Sequence, residues 1–275
     1  MPDVRYVCLS DLHLGSENSV LSALDGDGEV DGHLTAPALA GLVDCLGEIV
    51  SRNEDRSTRP TLVLGGDILE MALSAENRAA MVFERFADLA FPEGGGIFAD
   101  TVYFVPGNHD HQLWESSREQ QYAGYVRHAA AGGILHPPWP ISRMLAFDDP
   151  NPVESALLNA LVQRRPHRAG MAVRAVYPNM AIPSDDGRRW VVFHHGHFVE
   201  SLYRVVSTVR DLLFPERSSP VDVWDIEAEN GPWIDAMWTA LGRSGEASAG
   251  LGGAGHDALK SDKAMRRLAA GLAAG

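Results

Sequence analysis

The stretch TVYFVPGNHDH, Thr101 to His111, decides how this chain is read. Val102 to Val105 mixes β-branched and aromatic residues, which suit a packed, pleated surface, so it reads as a buried strand. Pro106 offers no N–H to a ladder and Gly107 tolerates unusual dihedrals. The strand therefore stops there, and Asn108, His109 and Asp110 are delivered on a tight loop at its carboxyl end. Open α/β sheets place their chemistry at that end.

Three further apolar runs repeat the grammar with different polar cargo. Val4 to Leu9 leads into Ser10-Asp11-Leu12-His13-Leu14-Gly15, and Thr61 to Leu64 into Gly65-Gly66-Asp67-Ile68-Leu69-Glu70. Trp190 to Phe193 leads into His194-His195-Gly196-His197. A single Gly-Asp or Asn-His after a strand is more often a turn than a ligand, but four such strand ends in one chain point to a shared centre. Carboxylate and amide oxygens mixed with imidazole nitrogens, without thiolate, suit Mn²⁺, Fe or Zn²⁺ and carry too many nitrogens for Ca²⁺.

The four blocks, in this order, resemble those of the calcineurin-like metallophosphoesterases: Asp-x-His, Gly-Asp, Gly-Asn-His-Asp and a lone His. The Asp-Leu-His-Leu, Gly-Asp-x-x-Glu and His-Gly forms look most like the branch of the UDP-2,3-diacylglucosamine pyrophosphohydrolases. The resemblance implies an α/β fold, a four-layer α/β/β/α sandwich with helical insertions. It also implies a pair of divalent metal ions, Mn²⁺ first, with Asp11 and His13 on one ion, Asn108 and His195 on the other and Asp67 between them. Such a pair clamps a phosphate and activates water for attack at phosphorus. His109 then serves the leaving group as a general acid, with Asp110 orienting its imidazole. Glu70 is open between a carboxylate at a helix start and an outer partner of the centre. His195 is the expected ligand among the three late histidines, with His194 pointing into the sheet as a hydrogen-bonded structural residue.

The family's fifth block, Gly-His-x-His, occurs nowhere in the 275 residues. Three readings follow: a chain that stops before that motif, which is the expectation taken here, recruitment of His197 or His256 as substitute ligands, or a weak or inactive relative. Two function classes are carried accordingly. One is a metal-dependent phosphoesterase or pyrophosphohydrolase acting on a phosphorylated small molecule or lipid-linked substrate. The other is a scaffold of the same fold that binds a protein partner. His109 favours the enzyme, because a scaffold needs no general acid.

Composition bounds the alternatives. Formal net charge is −14, from 23 basic and 37 acidic residues, which disfavours duplex nucleic acid and hence a nuclease. A phosphate substrate remains compatible, because bound divalent ions reverse the sign locally. The two cysteines, Cys8 in the first strand and Cys45 in a helical pattern, read as buried thiols of a reducing compartment. With no apolar run of membrane-spanning length and no secretory segment, the expected location is cytoplasmic.

Along the chain, the Gly- and acid-rich stretch from Ser16 to Leu34 reads as an active-site flap. Thr35 is placed to cap a crossover helix with Pro37 in its first turn, and Ser74 to cap a second that runs to about Ala90. The βαβαβ rhythm to Val105 predicts a largely parallel sheet. Residues 1–197 form the expected core, with a helical and Pro-rich insertion over about 112–170. Within it, Ser116 to Ala131 and Glu154 to Arg165 read as helices. Ala172 to Tyr177 and Arg189 to Phe193 read as strands joined through an Asp186-Gly187 turn, part of a second sheet. Residues 198–275 read as a helical cap or extension, with Asn230 and Pro232 opening a helix. Trp224, Trp233 and Trp238 there are open to two readings, the core of a helical subdomain or a lid and membrane-edge surface over the site.

Overall fold

A computed structural model describes residues 3–197, 210–211, 213–216 and 221–241. Strands β1 (Tyr6–Leu9), β2 (Thr61–Leu64) and β3 (Thr101–Phe104) are linked by helices α1 (Pro37–Val50) and α2 (Glu76–Ala90). Next come α3 (Gln112–His128), β4 (Val153–Glu154), α4 (Ala156–Val162), β5 (Ala172–Ala175), β6 (Asn179–Pro183), β7 (Trp190–His194) and α5 (Val223–Leu241). The main sheet has the order β1-β2-β3-β5-β4, parallel except for β4, and β6 and β7 form an antiparallel pair.

Strand periodicity builds the layers. Leu62 and Leu64 of β2, Val102 and Phe104 of β3 and Val173 of β5 face one way. They pack against Leu39, Val43 and Leu46 of α1 and Val82, Phe83 and Phe86 of α2. The intervening Val63, Tyr103 and Val105 face the other way, onto Met180 and Ile182 of β6 and Phe193 of β7. Because successive side chains alternate in direction, each strand serves two cores. Among the described residues the layers are helix, sheet, sheet; the motif loops after β1, β2 and β3 leave the same edge of the main sheet, and the fourth follows β7 of the second sheet.

Several sequence expectations change. Both crossover helices form, but Ala36 and Ala75 precede their first turns with no side-chain cap, so Thr35 and Ser74 do not cap them. In α1, Pro37 at the first turn needs no N–H acceptor. The strand at Ala172 joins the main sheet, in register with β3 from Thr101↔Ala172 to Phe104↔Ala175. The Asp186-Gly187 turn does close a hairpin, but its first strand is Asn179–Pro183. Helix α3 starts at Gln112, earlier than Ser116, and α4 is shorter than predicted and preceded by β4, which pairs with β5. Asn230 and Pro232 lie inside α5 rather than opening it. Cys8 and Cys45 are exposed, because β1 is an edge strand and Cys45 lies off the packed face of α1. No described helix is long and apolar enough to cross a membrane. The helix expected over 198–213, the Ser244 to Gly255 stretch and His256 lie outside the described residues, apart from 210, 211 and 213.

One ion-pair cluster ties the helical layer to the approach to β5. Asp88 of α2 accepts two hydrogen bonds from Arg165, at 3.0 and 2.7 Å, and one of 2.8 Å from Arg168, whose side chain is 1% exposed. The Arg165 hydrogen bond first, and then the Arg168 charge, hold the Asp88 carboxyl below the ordinary range against the opposing effect of burial. Its contribution is therefore present above the unfolded carboxylate pKa of about 3.9 and is lost as pH falls toward the lower folded value. Asp88→Ala strands the buried Arg168, and is expected to cost about 2–3 kcal/mol in urea denaturation. That is less than the ~3–5 for a fully buried pair, because Asp88 retains some solvent contact.

Candidate metal centre

The loops after β1 and β2 continue the strand ladder past the strands themselves. Asp11 N–H donates to Gly66 O at 3.0 Å, His13 N–H to Asp67 O at 2.9 Å and Leu14 N–H to Ile68 O at 2.8 Å. Within this paired loop Asp11, His13 and Asp67 all have positive φ, 56°, 45° and 51°. Left-handed backbone at three residues other than glycine costs of order 1–3 kcal/mol each and gathers at functional sites.

Asp67 sits at the middle. Its Oδ1 accepts the His109 amide at 2.8 Å, which leaves Oδ2 pointing 3.3 Å from His195 Nε2 and 3.7 Å from His13 Nε2. Both histidines are aimed by their other nitrogen. His195 Nδ1–H donates to Gly65 O at 3.2 Å, and His13 Nδ1–H to Glu70 Oε2 at 2.9 Å. Asn108 Oδ1 lies 3.2 Å from His195 Nε2. Imidazoles turned by an outer carbonyl or carboxylate so that Nε2 converges on a shared carboxylate are the arrangement metal sites use. The donors form two groups that share Asp67: Asp11, Asp67 and His195, and His13, Asp67 and His109. The residues fit divalent ions on donor chemistry and on direction. The grouping divides Asp11 from His13, which the resemblance places on one ion.

Close backbone approach makes this possible at two glycines. At Gly66, φ +97°, a Cβ would lie 2.4 Å from His195 Nδ1, and at Gly107 one would lie 2.2 Å from Asp67 Oδ1. No side chain fits at either position.

Glu70 has the role that the sequence reading gave to Asp110. Its Oε1 accepts His109 Nδ1–H at 2.8 Å while Oε2 holds His13, so one carboxylate orients two imidazoles. Oε1 also accepts the Leu73 amide at 3.0 Å, closing the turn before α2. Burial pushes the Glu70 carboxyl up, but the hydrogen bonds from His109 and His13 outweigh it and hold it at about 2. Asp110, by contrast, is wholly buried and accepts backbone N–H groups: Gly107 at 2.7 Å, Ile68 at 2.8 Å, and Asp67 and Leu69 at 3.3 Å. Asp110 lies beneath the loops and holds them together. It is too short and too deep to steer the His109 ring, and burial together with the Asp67 charge pushes its carboxyl up to about 6.

Other charges follow from the same crowding. Burial raises Asp67, but the His195 hydrogen bond and the His109 charge bring it down to about 2. Burial lowers His195, yet Asp67 carries it up to about 9, and Glu70 raises His13 against burial in the same way. His197 is buried against Tyr177, its Nε2 3.4 Å from the hydroxyl, and burial followed by the His195 charge takes it down to about 3. His194 is exposed rather than turned into the sheet, because the last residue of β7 points away from the packed face.

Trp238, which the sequence left open between a helical core and a lid over the site, lies against His109. Its ring lies 4.6 Å from that of His109, and with Ile234, Met237 and Ala72 it forms a small apolar cluster over the β2 loop. Trp238 is core and cover at once, whereas Trp224 is half-exposed. An aromatic at helical spacing carries no signal in sequence for which loop it will cover.

Gly107→Ala would drive a methyl group into Asp67, and is expected to lower stability by more than about 2 kcal/mol and to reduce bound metal, as read by calorimetry and elemental analysis. No curated protein and no solved structure matches this chain. The family model described as calcineurin-like phosphoesterase matches residues 4–255. That span takes in all four loops that converge on Asp67, and most of the chain besides, so the chain belongs to the calcineurin-like phosphoesterases, a hydrolase family whose members bind divalent metals.

Proposed function

We propose that the Asp67 cluster holds two divalent ions, Mn²⁺ foremost, and hydrolyses a phosphomonoester, phosphodiester or pyrophosphate bond of a small or lipid-linked substrate. The observation that carries this reading is Asp67 Oδ2 set between the Nε2 atoms of His13 and His195. Asp11, His13, Asp67, Asn108 and His195 would hold the ions, the carboxylate of Asp67 serving both. When bound, such a pair polarises the phosphoryl group and makes water a competent nucleophile near neutral pH.

The remaining steps belong to the chain. Glu70 accepts a hydrogen bond from His109 Nδ1–H, which fixes the tautomer and reserves Nε2 for proton transfer to or from the leaving oxygen. Trp238 on one side and His13, 4.8 Å away and edge-on, on the other restrict the ring to one orientation. His109 and Asp110 thus divide the labour: the first at the reacting atoms, the second holding the loop that delivers it. The Asp-Leu-His-Leu and Gly-Asp-x-x-Glu forms favour a pyrophosphate or diester substrate, and the formal net charge of −14 disfavours a duplex nucleic acid.

His109→Ala is expected to abolish turnover of bis-p-nitrophenyl phosphate and p-nitrophenyl phosphate while metal content, by elemental analysis, stays nearly unchanged. Surviving turnover would overturn the acid role, and a parallel loss of metal would make His109 a ligand instead. Glu70→Gln keeps the shape but loses the charge that holds two imidazoles, and about a 10–100-fold fall in kcat or metal affinity is expected, measured in the same assays.

A further inference from the structure

Two residues beyond His109, His111 opens onto a second pocket. A cavity of about 390 Å³ lies between α3 and α5, lined by His111, Trp114, Glu115, Tyr177, Glu227 and Asp235 among others. His111 and Glu115 are four residues apart and so share one face at the start of α3. Asp235 reaches them from α5, and one ligand atom of each of the three lies within 4.8 Å of the others. Gly231, one turn before Asp235, keeps the face open: a Cβ there would press to 3.3 Å from Glu115 Oε1 and 3.4 Å from His111 Cε1.

The cavity also holds a buried acid. Glu227 lies on the same face of α5, two turns ahead of Asp235, and is 3% exposed. Its carboxyl sits beside the Tyr177 hydroxyl, yet neither oxygen makes a hydrogen bond of good geometry among the described residues. Three carboxylates, those of Glu115, Glu227 and Asp235, line the cavity with a single guanidinium, Arg118, which pairs with Glu115. Buried carboxyl groups this poorly supplied with donors are costly, and a cation is what such a set lacks.

We propose that His111, Glu115 and Asp235 form a separate site for a divalent cation, with Glu227 beside it. One imidazole and carboxylate oxygens suit Zn²⁺ or Mn²⁺, and a carboxylate has lone pairs enough for Glu115 to keep Arg118 as well. The ion clamps α3 to α5. Since α5 also carries Trp238 onto His109, the clamp fixes the cover of the Asp67 cluster, and its existence does not depend on what that cluster catalyses.

The test is metal content. Full-length protein is stripped with a chelator, reloaded with Zn²⁺ or Mn²⁺ and dialysed, and ions per chain are counted by elemental analysis with circular dichroism as the check on fold. Asp235→Asn and Glu115→Gln are each expected to bind one ion fewer than the parent chain, with an unchanged spectrum. Equal metal content in parent and variants overturns the site. Loss of every ion from a folded variant overturns it as a separate site, since the cavity would then be part of the Asp67 centre. Should Asp235→Asn fail to fold, the isosteric Glu115→Gln on the other helix decides by the same count.

Discussion

The buried carboxylate of Asp110 is the constraint on which the site depends. It is enclosed by main-chain N–H groups from two loops, Gly107 on its own loop and Ile68 on the β2 loop, with Asp67 and Leu69 at longer range. An enclosed amide without an acceptor costs about as much as a lost hydrogen bond, and four of them converge here. A carboxylate supplies acceptors on both oxygens, whereas an amide side chain would turn donors toward donors. Bonds from N–H groups to a charged acceptor are worth about 1.5–3 kcal/mol each, the same order as the left-handed strain at Asp11, His13 and Asp67 that they help offset.

From that anchor the geometry propagates outward. Holding the β2 and β3 loops together places the His109 amide on Asp67 Oδ1, and this directs Oδ2 to the two histidines. Three acidic groups within one cluster then take different electrostatic roles. Asp67 and Glu70 are held as strong acids by their imidazole partners, while Asp110, bonded to backbone amides, is raised by burial and by the neighbouring Asp67 charge. The carboxylates that face histidines carry the negative charge of the centre, and the one that faces the backbone carries its architecture.

Sequence reached the cluster because its members lie at strand ends. Asp11, His13, Asp67, Asn108 and His195 each lie within a few residues of the end of an apolar run; the parallel sheet carries those after β1, β2 and β3 to one edge whatever the helices between them do, and His195 joins them from the stacked β6–β7 pair. Sequence did not reach Glu70's hold on His109, since the nearest carboxylate in the chain, Asp110, was the natural candidate and its depth is invisible in a linear pattern. It also placed Ala172 to Tyr177 in the wrong sheet. A run of small and apolar residues suits either layer, and only pairing with β3 decides.

The sequence by itself determined the α/β class, the edge of the sheet where chemistry gathers and the residue types that gather there, because strand periodicity and strand-ending Gly and Pro are local properties. Tertiary structure decided which carboxylate orients which imidazole, that Trp238 covers His109, and that His111, Glu115 and Asp235 meet at all. Those pairings span tens to more than a hundred residues, and they are fixed by how loops and helices pack against one another rather than by any spacing along the chain.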